Sequence, residues 1–222
     1  MKNTYRQRNT GAKQDALIPK HGGYRNLKTF QLAEVIYDVT VRFCDKFLDP
    51  RSRTVDQMTQ AARSGRQNIA EGSMDSATSR KLELKLTGVA KGSLEELRLD
   101  YEDYLRQRGF PQWDREHPAL LRFKERRCAS LNEFRRWVVD ELKRSGGDTD
   151  THERAPAKQE PLVRESPCPS VFVANGALSL INLCVYLLDR QLKAQAEAFE
   201  NNGGFTERLY QKRIQRRQQD KH

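Results

Sequence analysis

The chain has 222 residues, 40 Lys+Arg against 30 Asp+Glu, a net charge of +10, and only 36% hydrophobic residues. That length suits roughly one or two domains and a core that needs no disulfide or metal staple. Cys44, Cys128, Cys168 and Cys184 form no C-x-x-C pair and the four histidines lack ligand spacing, which argues against a structural zinc site and for reduced, cytosolic thiols.

Residues 1–23 are polar, basic and without period, and read as a mobile arm that lacks the apolar stretch of a secretory leader. Helical signals follow, with no convincing strand alternation, so the fold class is all-α. The first helix, about Tyr24 to Leu48, stops before Pro50. It is apolar around most of its circumference, with one narrow polar stripe of Glu34, Asp38, Arg42 and Asp45. A surface helix shows an apolar arc of little more than ~100°. Cover from more than one side is therefore required, and a subunit interface through Phe30, Tyr37, Val41 and Cys44 is the simplest source.

The second helix, about Thr54 to Glu71, is rich in small residues and ends at Gly72, a suitable residue just past a helix end. The third, about Ser79 to Arg108, is stopped by Gly109 and Pro111 and carries Gly92 and Ser93 in its interior, for which a tight helix crossing is the expected compensation. A fourth helix begins near Pro118 and extends to about Arg144. Residues 145–169 hold four prolines and five apolar residues, a linker composition. The last long helix spans about Ala174 to Glu200, and a short basic helix or tail follows Gly203-Gly204.

The run Val171 to Leu188 is apolar enough to imitate a membrane span. A row of Asn175, Ser179 and Asn182 interrupts it and continues into Asp189, Lys193 and Glu197, the pattern of a helix with one polar stripe rather than a membrane segment.

The charge is uneven. Residues 1–28 hold seven Lys/Arg and one Asp, and residues 204–222 hold six Lys/Arg against two acids, which leaves the middle of the chain neutral. Clustered cations at the ends and in the 118–144 helix suit phosphate neutralisation, which is independent of sequence. The candidates are Arg6, Arg8, Lys13 and Lys20 in the arm, Arg63 and Arg66 on the second helix, Arg122, Arg126 and Arg127 on the inserted helix, and Arg208, Lys212, Arg213, Arg216 and Arg217 in the tail. Arg135 and Arg136 belong to the same inserted group.

Three motifs occur in order: Tyr24-Arg25-Asn26-Leu27, Asn68-Ile69-Ala70-Glu71-Gly72, and Gly92-Ser93-Leu94-Glu95-Glu96-Leu97. Over Tyr24 to Gly109 they resemble the small bacterial four helix bundle protein family, known from open reading frames in intervening sequences of large-subunit ribosomal RNA genes. The accessory variability protein of diversity-generating retroelements is a relative of that family. Asn175 to Arg208 is similar to a C-terminal extension of some members, the four-helix suffix. Many members carry a proline before the N-I-A-E-G signature, where this chain has Arg66.

The resemblance implies an up-and-down antiparallel four-helix bundle in a ring-shaped homo-oligomer, a homopentamer. It divides the chain into a basic arm (1–23), three bundle helices (24–110), an inserted helix (111–144), a Pro-rich linker (145–170), a suffix helix completing the bundle (171–204) and a basic tail (205–222).

Glu96, Asp100 and Asp103 share a face of the third helix, but without a histidine partner they read as an acidic stripe rather than a metal or acid–base site. Asn68 and Glu71 read as satisfying polar groups near a helix end. No nucleophile-elbow, phosphate-loop or dinucleotide glycine pattern is present. The reading is a non-enzymatic, cytoplasmic accessory or scaffold protein without cofactor, metal or membrane association. Its expected partners are copies of itself and nucleic acid, structured RNA above all, or a nucleic-acid-processing protein such as a reverse transcriptase. The competing reading is a protein-interaction scaffold with no nucleic-acid role.

Overall fold

The computed structural model describes residues 23–146 and 168–219, and all their regular structure is helical. A single 3-10 turn (Tyr24–Asn26) precedes α1 (Lys28–Phe47), α2 (Arg53–Asp75), α3 (Arg80–Gln107), α4 (Pro118–Arg126), α5 (Leu131–Arg144), α6 (Pro169–Asn202) and α7 (Phe205–Gln219).

Side-chain caps fix several of these starts. Ser52 Oγ accepts from the Thr54 N–H, and Ser79 Oγ accepts from the Leu82 N–H, each satisfying a donor that the first helical turn leaves open.

α1 and α3 each pack against both α2 and α6, so the four long helices enclose one core. Cross-helix contacts give the running directions. Ser64 of α2 meets Ser93 of α3 at 2.9 Å, and Gly72 lies against Leu86 further back along α3. On the α6 side, Lys91 pairs with Asp189 at 2.6 Å and Gln195 donates to Glu83 at 2.9 Å, so residue numbers rise on one helix as they fall on the other. At the centre, Phe43 packs its ring 4.9 Å from Tyr101 and 4.7 Å from Tyr104, while the Tyr101 hydroxyl donates to Thr40 Oγ1 at 3.1 Å.

The cover that α1 requires is supplied by this chain itself. Phe30 and Cys44 are buried among α2, α6, α5 and the opening turn, where the Tyr24 ring meets Phe30 edge-on at 4.7 Å. Phe30 and Cys44 are thus buried in this chain's own core, and of the four interface candidates Tyr37 and Val41 keep partial exposure.

Three local expectations are also corrected. α2 does not stop at Gly72 but runs through it to Asp75, and Gly72 is buried where a Cβ would lie 3.3 Å from Leu86 Cβ. No described residue lies within 4 Å of a Cβ built on Gly92; the close crossing is made by its neighbour Ser93 against Ser64, and by Gly65, where a Cβ would sit 2.8 Å from Leu94 Cδ2. The helix expected from Pro118 to Arg144 is two helices, α4 and α5. Arg127 turns left-handed (φ 50°), Ser130 Oγ accepts from the Glu133 N–H, and Glu133 Oε2 accepts from the Ala129 N–H, so the chain is stopped and restarted within four residues.

The α4–α5 hairpin folds over the N-terminal half of α6. Trp137 and Phe134 press onto Gly176, where a Cβ would lie 2.6 Å from Trp137 Cζ3. Asn175 is buried and ties down the approach to α4: its Nδ2 donates to the carbonyls of Pro111 and Val171, and its Oδ1 accepts from the Trp113 N–H at 2.7 Å. By length and composition, the helical stretch that begins with α6 could cross a membrane, yet two thirds of its apolar window is buried inside this fold.

Candidate nucleic-acid interface

The basic residues of the hairpin separate into two groups. On α4, Arg122 makes a two-pronged contact with Glu141 of α5, Nε to Oε1 at 2.8 Å and Nη2 to Oε2 at 2.6 Å. The Glu141 side chain is only 4% exposed, so this pair is internal architecture. Arg126 likewise holds Asp140 of α5, and this contact keeps the Asp140 carboxyl below the usual carboxylate range. Lys124 donates to the Arg115 carbonyl. Of the inserted candidates, Arg122 and Arg126 therefore have their charge already matched, and Arg127 occupies the exposed turn.

The second group lies along α5 and faces water. Arg135, Arg136, Lys143 and Arg144 are all exposed, and among the described residues none of them forms an ion pair. At 1.5 Å rise per residue the two doublets stand about 12 Å apart along the helix. The segregation follows from the hairpin register. Glu141 is buried against Arg122, and Asp140 is held by Arg126 while it stays partly exposed beside Lys143 and Arg144, so cations outnumber acids on the outer face of α5.

α7 adds a further basic element. Gly203 (φ 61°) and Gly204 open it, and Glu207 Oε2 accepts the Gly204 N–H at 2.9 Å. Lys212 and Arg216 form one i,i+4 row and Arg213 and Arg217 another, each with about 6 Å rise between cations. Tyr210 is exposed beside them. The Arg208 side chain lies outside the described residues, as do Arg6, Arg8, Lys13 and Lys20 of the arm.

On α2, Arg63 is exposed, whereas Arg66 places its guanidinium 4.3 Å from the Tyr37 ring centroid, a cation–π contact across to α1. The signature itself is packing. Asn68 Nδ2 donates to the Ser64 carbonyl and Oγ, Ser64 Oγ meets Ser93, Ile69 is fully buried, Ala70 is half-buried and Glu71 is exposed. Asn68 satisfies polar groups inside the α2–α3 crossing, not at a helix end.

Glu96, Asp100 and Asp103 do share a face. Burial first, then the neighbouring Asp103 and Glu96 charges, raises the Asp100 carboxyl above its usual value, and Asp103 is paired with Arg106 at 2.6 Å. Among the described residues, no group of three or more His, Cys, Asp or Glu side chains is arranged to hold a metal ion.

Sequence reading missed the division of labour between α4 and α5. The signal was present as Ser130-Leu131-Asn132-Glu133, a start sequence that breaks the helix and brings Asp140 and Glu141 back against Arg122 and Arg126.

Comparison of the chain with protein-family models, with curated proteins and with solved structures finds no match.

Proposed function

We propose that this protein is a non-enzymatic helical scaffold that binds nucleic acid, structured RNA in particular, or a protein that processes it. In this reading α1, α2, α3 and α6 form an up-and-down antiparallel four-helix bundle, the α4–α5 hairpin is an insertion on it, and α5 and α7 are the contacts. The observation that carries the proposal is the exposed cluster of Arg135, Arg136, Lys143 and Arg144 on α5, which outnumbers the neighbouring Asp140 already held by Arg126, on a helix held rigid by the Trp137 and Phe134 packing beneath it. A fixed cluster of exposed cations in excess of its acids attracts a phosphate backbone without reading its bases. Arg213, Arg216 and Arg217 on α7, with Tyr210 available for stacking, extend the same chemistry.

Fluorescence anisotropy of a labelled RNA hairpin, titrated with the full chain from low to physiological salt, tests this. The expected result is tight binding at low salt that weakens linearly on a log–log plot. Absence of binding at low salt would leave the protein-interaction reading, which the exposed apolar side chains on α3 favour independently.

A further inference from the structure

The helices of the α4–α5 hairpin cross rather than run side by side. Ala119, in the first turn of α4, accepts a hydrogen bond from Trp137 Nε1, and Arg126, in the last turn, holds Asp140. Residues roughly 10 Å apart along α4 therefore meet a stretch of about 5 Å on α5, and in the same order, which an antiparallel pair would reverse. Between them the Phe123 ring lies 5.5 Å from Phe134 and 4.6 Å from Trp137. Both helices rest on α6, whose Phe172 meets Trp137 edge-on and closes an aromatic core shared by the three.

The turn between α4 and α5 is Arg127 to Ser130, opened by the left-handed Arg127 and closed by the Ser130 and Glu133 caps. Two helices set at a steep angle by so short a turn, over a third helix, make a helix-turn-helix unit, a form that presents its second helix to the major groove of DNA. On α5, Asn132, Arg136, Val139 and Lys143 step by four, three and four. At ~100° per residue they lie within about 60° of one another, opposite the buried Phe134, Trp137 and Glu141. Val139 is 38% exposed within this line. A surface that only gripped phosphates would gain nothing from an amide and an apolar side chain set among its cations. The acids that border the line are already engaged, Glu133 with the Ala129 N–H and Asp140 with Arg126.

We propose that α4 and α5 form a base-reading unit in which α5 lies in the major groove of a B-form DNA duplex. This rests on the nucleic-acid reading above and deepens it: the cations grip the backbone of RNA and DNA alike, whereas Asn132, Arg136 and Val139 recognise bases on DNA. The chemistry of the three is that of base edges in this groove. An asparagine amide pairs with N6 and N7 of adenine, an arginine guanidinium with O6 and N7 of guanine, and an aliphatic methyl packs on that of thymine. Arg135, Lys143 and Arg144 flank them as phosphate contacts. The major groove of B-form DNA, ~12 Å wide, admits a helix, whereas that of A-form RNA is too deep and narrow for side chains to read.

Trp137 and Phe134 are buried against Gly176, so a roll of α5 about its axis would break this packing. The reading side chains are thereby held on a rigid element, as discrimination between bases requires.

The test is iterative selection of a randomised duplex DNA library on the full chain at physiological salt. Anisotropy titrations of the enriched duplex, the starting library and an RNA hairpin follow. The expected result is an enriched sequence bound at least tenfold more tightly than the library. Asn132→Ala and Arg136→Ala are each expected to cut that preference at least fivefold with the helical circular dichroism retained. Lys143→Ala is expected to weaken selected and unselected duplexes alike. Failure to enrich any sequence, while the library and the hairpin still bind, would overturn base reading and leave the nucleic-acid reading standing. Absence of binding to all three at low salt would overturn both. A sequence preference that survives Asn132→Ala, Arg136→Ala and Val139→Ala would overturn the proposal equally.

Discussion

Gly176 is where a single atom matters most. Trp137 Cζ3 and Phe134 Cζ would lie 2.6 and 2.9 Å from an added Cβ, and both rings are buried and cannot swing aside. Gly176→Ala should therefore destabilise the fold by about 1–3 kcal/mol, as overpacking does, even though alanine is the better helix former. Gly92→Ala meets no described atom within 4 Å and should stabilise the protein by about 0.5–1 kcal/mol. Thermal melts of the two variants check both signs.

The thiols separate in the same way. Burial pushes Cys44 up to about 11 and Cys184 up to about 12 and also raises Cys128, so all three stay protonated and covered at neutral pH. A thiol reagent should label only half-buried Cys168 in the native protein, and all four cysteines once denaturant is added. Rapid native labelling of Cys184 would contradict the packing of α6 described above. The sequence made the small residues of α2 visible, but not which glycine serves a crossing and which stands open. That depends on the neighbouring helix, which is why Gly72 has the sequence context of a terminus yet lies inside α2 against Leu86.

Among the elements, the α4–α5 hairpin departs furthest from its sequence pattern. Leu120, Phe123, Cys128, Leu131, Phe134 and Trp137 read as one helical stripe because a tight turn between two amphipathic helices can preserve the apolar rhythm. The Ser130 and Glu133 cap overrides it. Ser130→Ala should cost about 1 kcal/mol, measurable by chemical denaturation. No loss would mean that tertiary packing alone holds the break. The extent of α3 was legible because a long periodic stretch bounded by Ser79 and Gly109 leaves little choice, whereas α1 starts at Lys28 after a separate 3-10 turn and α6 starts at Pro169, inside the expected linker and five residues before Ala174. What was not legible was the covering of α1. Periodicity reports how much of a helix must be buried, but not whether the cover comes from the same chain, and here α2, α5 and α6 supply it.

For the molecule as a whole, the +10 charge matters less than its arrangement. Along the sequence it gathers in the two ends and in the inserted segment, whose cations look like one group. The fold divides that group: Arg122 and Arg126 hold the hairpin together, while Arg135 and Arg136 face outward beside Lys143 and Arg144, two cations that the sequence pattern did not single out. The α5 row thus becomes the centre of the nucleic-acid proposal, on a rigid element whose side chains can be removed without touching the core.

The salt dependence of RNA-hairpin binding, compared between the wild-type chain and the triple variant Arg135→Ala, Arg136→Ala, Lys143→Ala, is the most direct test. Each lost phosphate contact should make the log–log slope shallower by roughly 0.7–0.9. The account predicts a slope shallower by about two to three and at least tenfold weaker binding at moderate salt, with the helical content unchanged. An unchanged slope and affinity would contradict it.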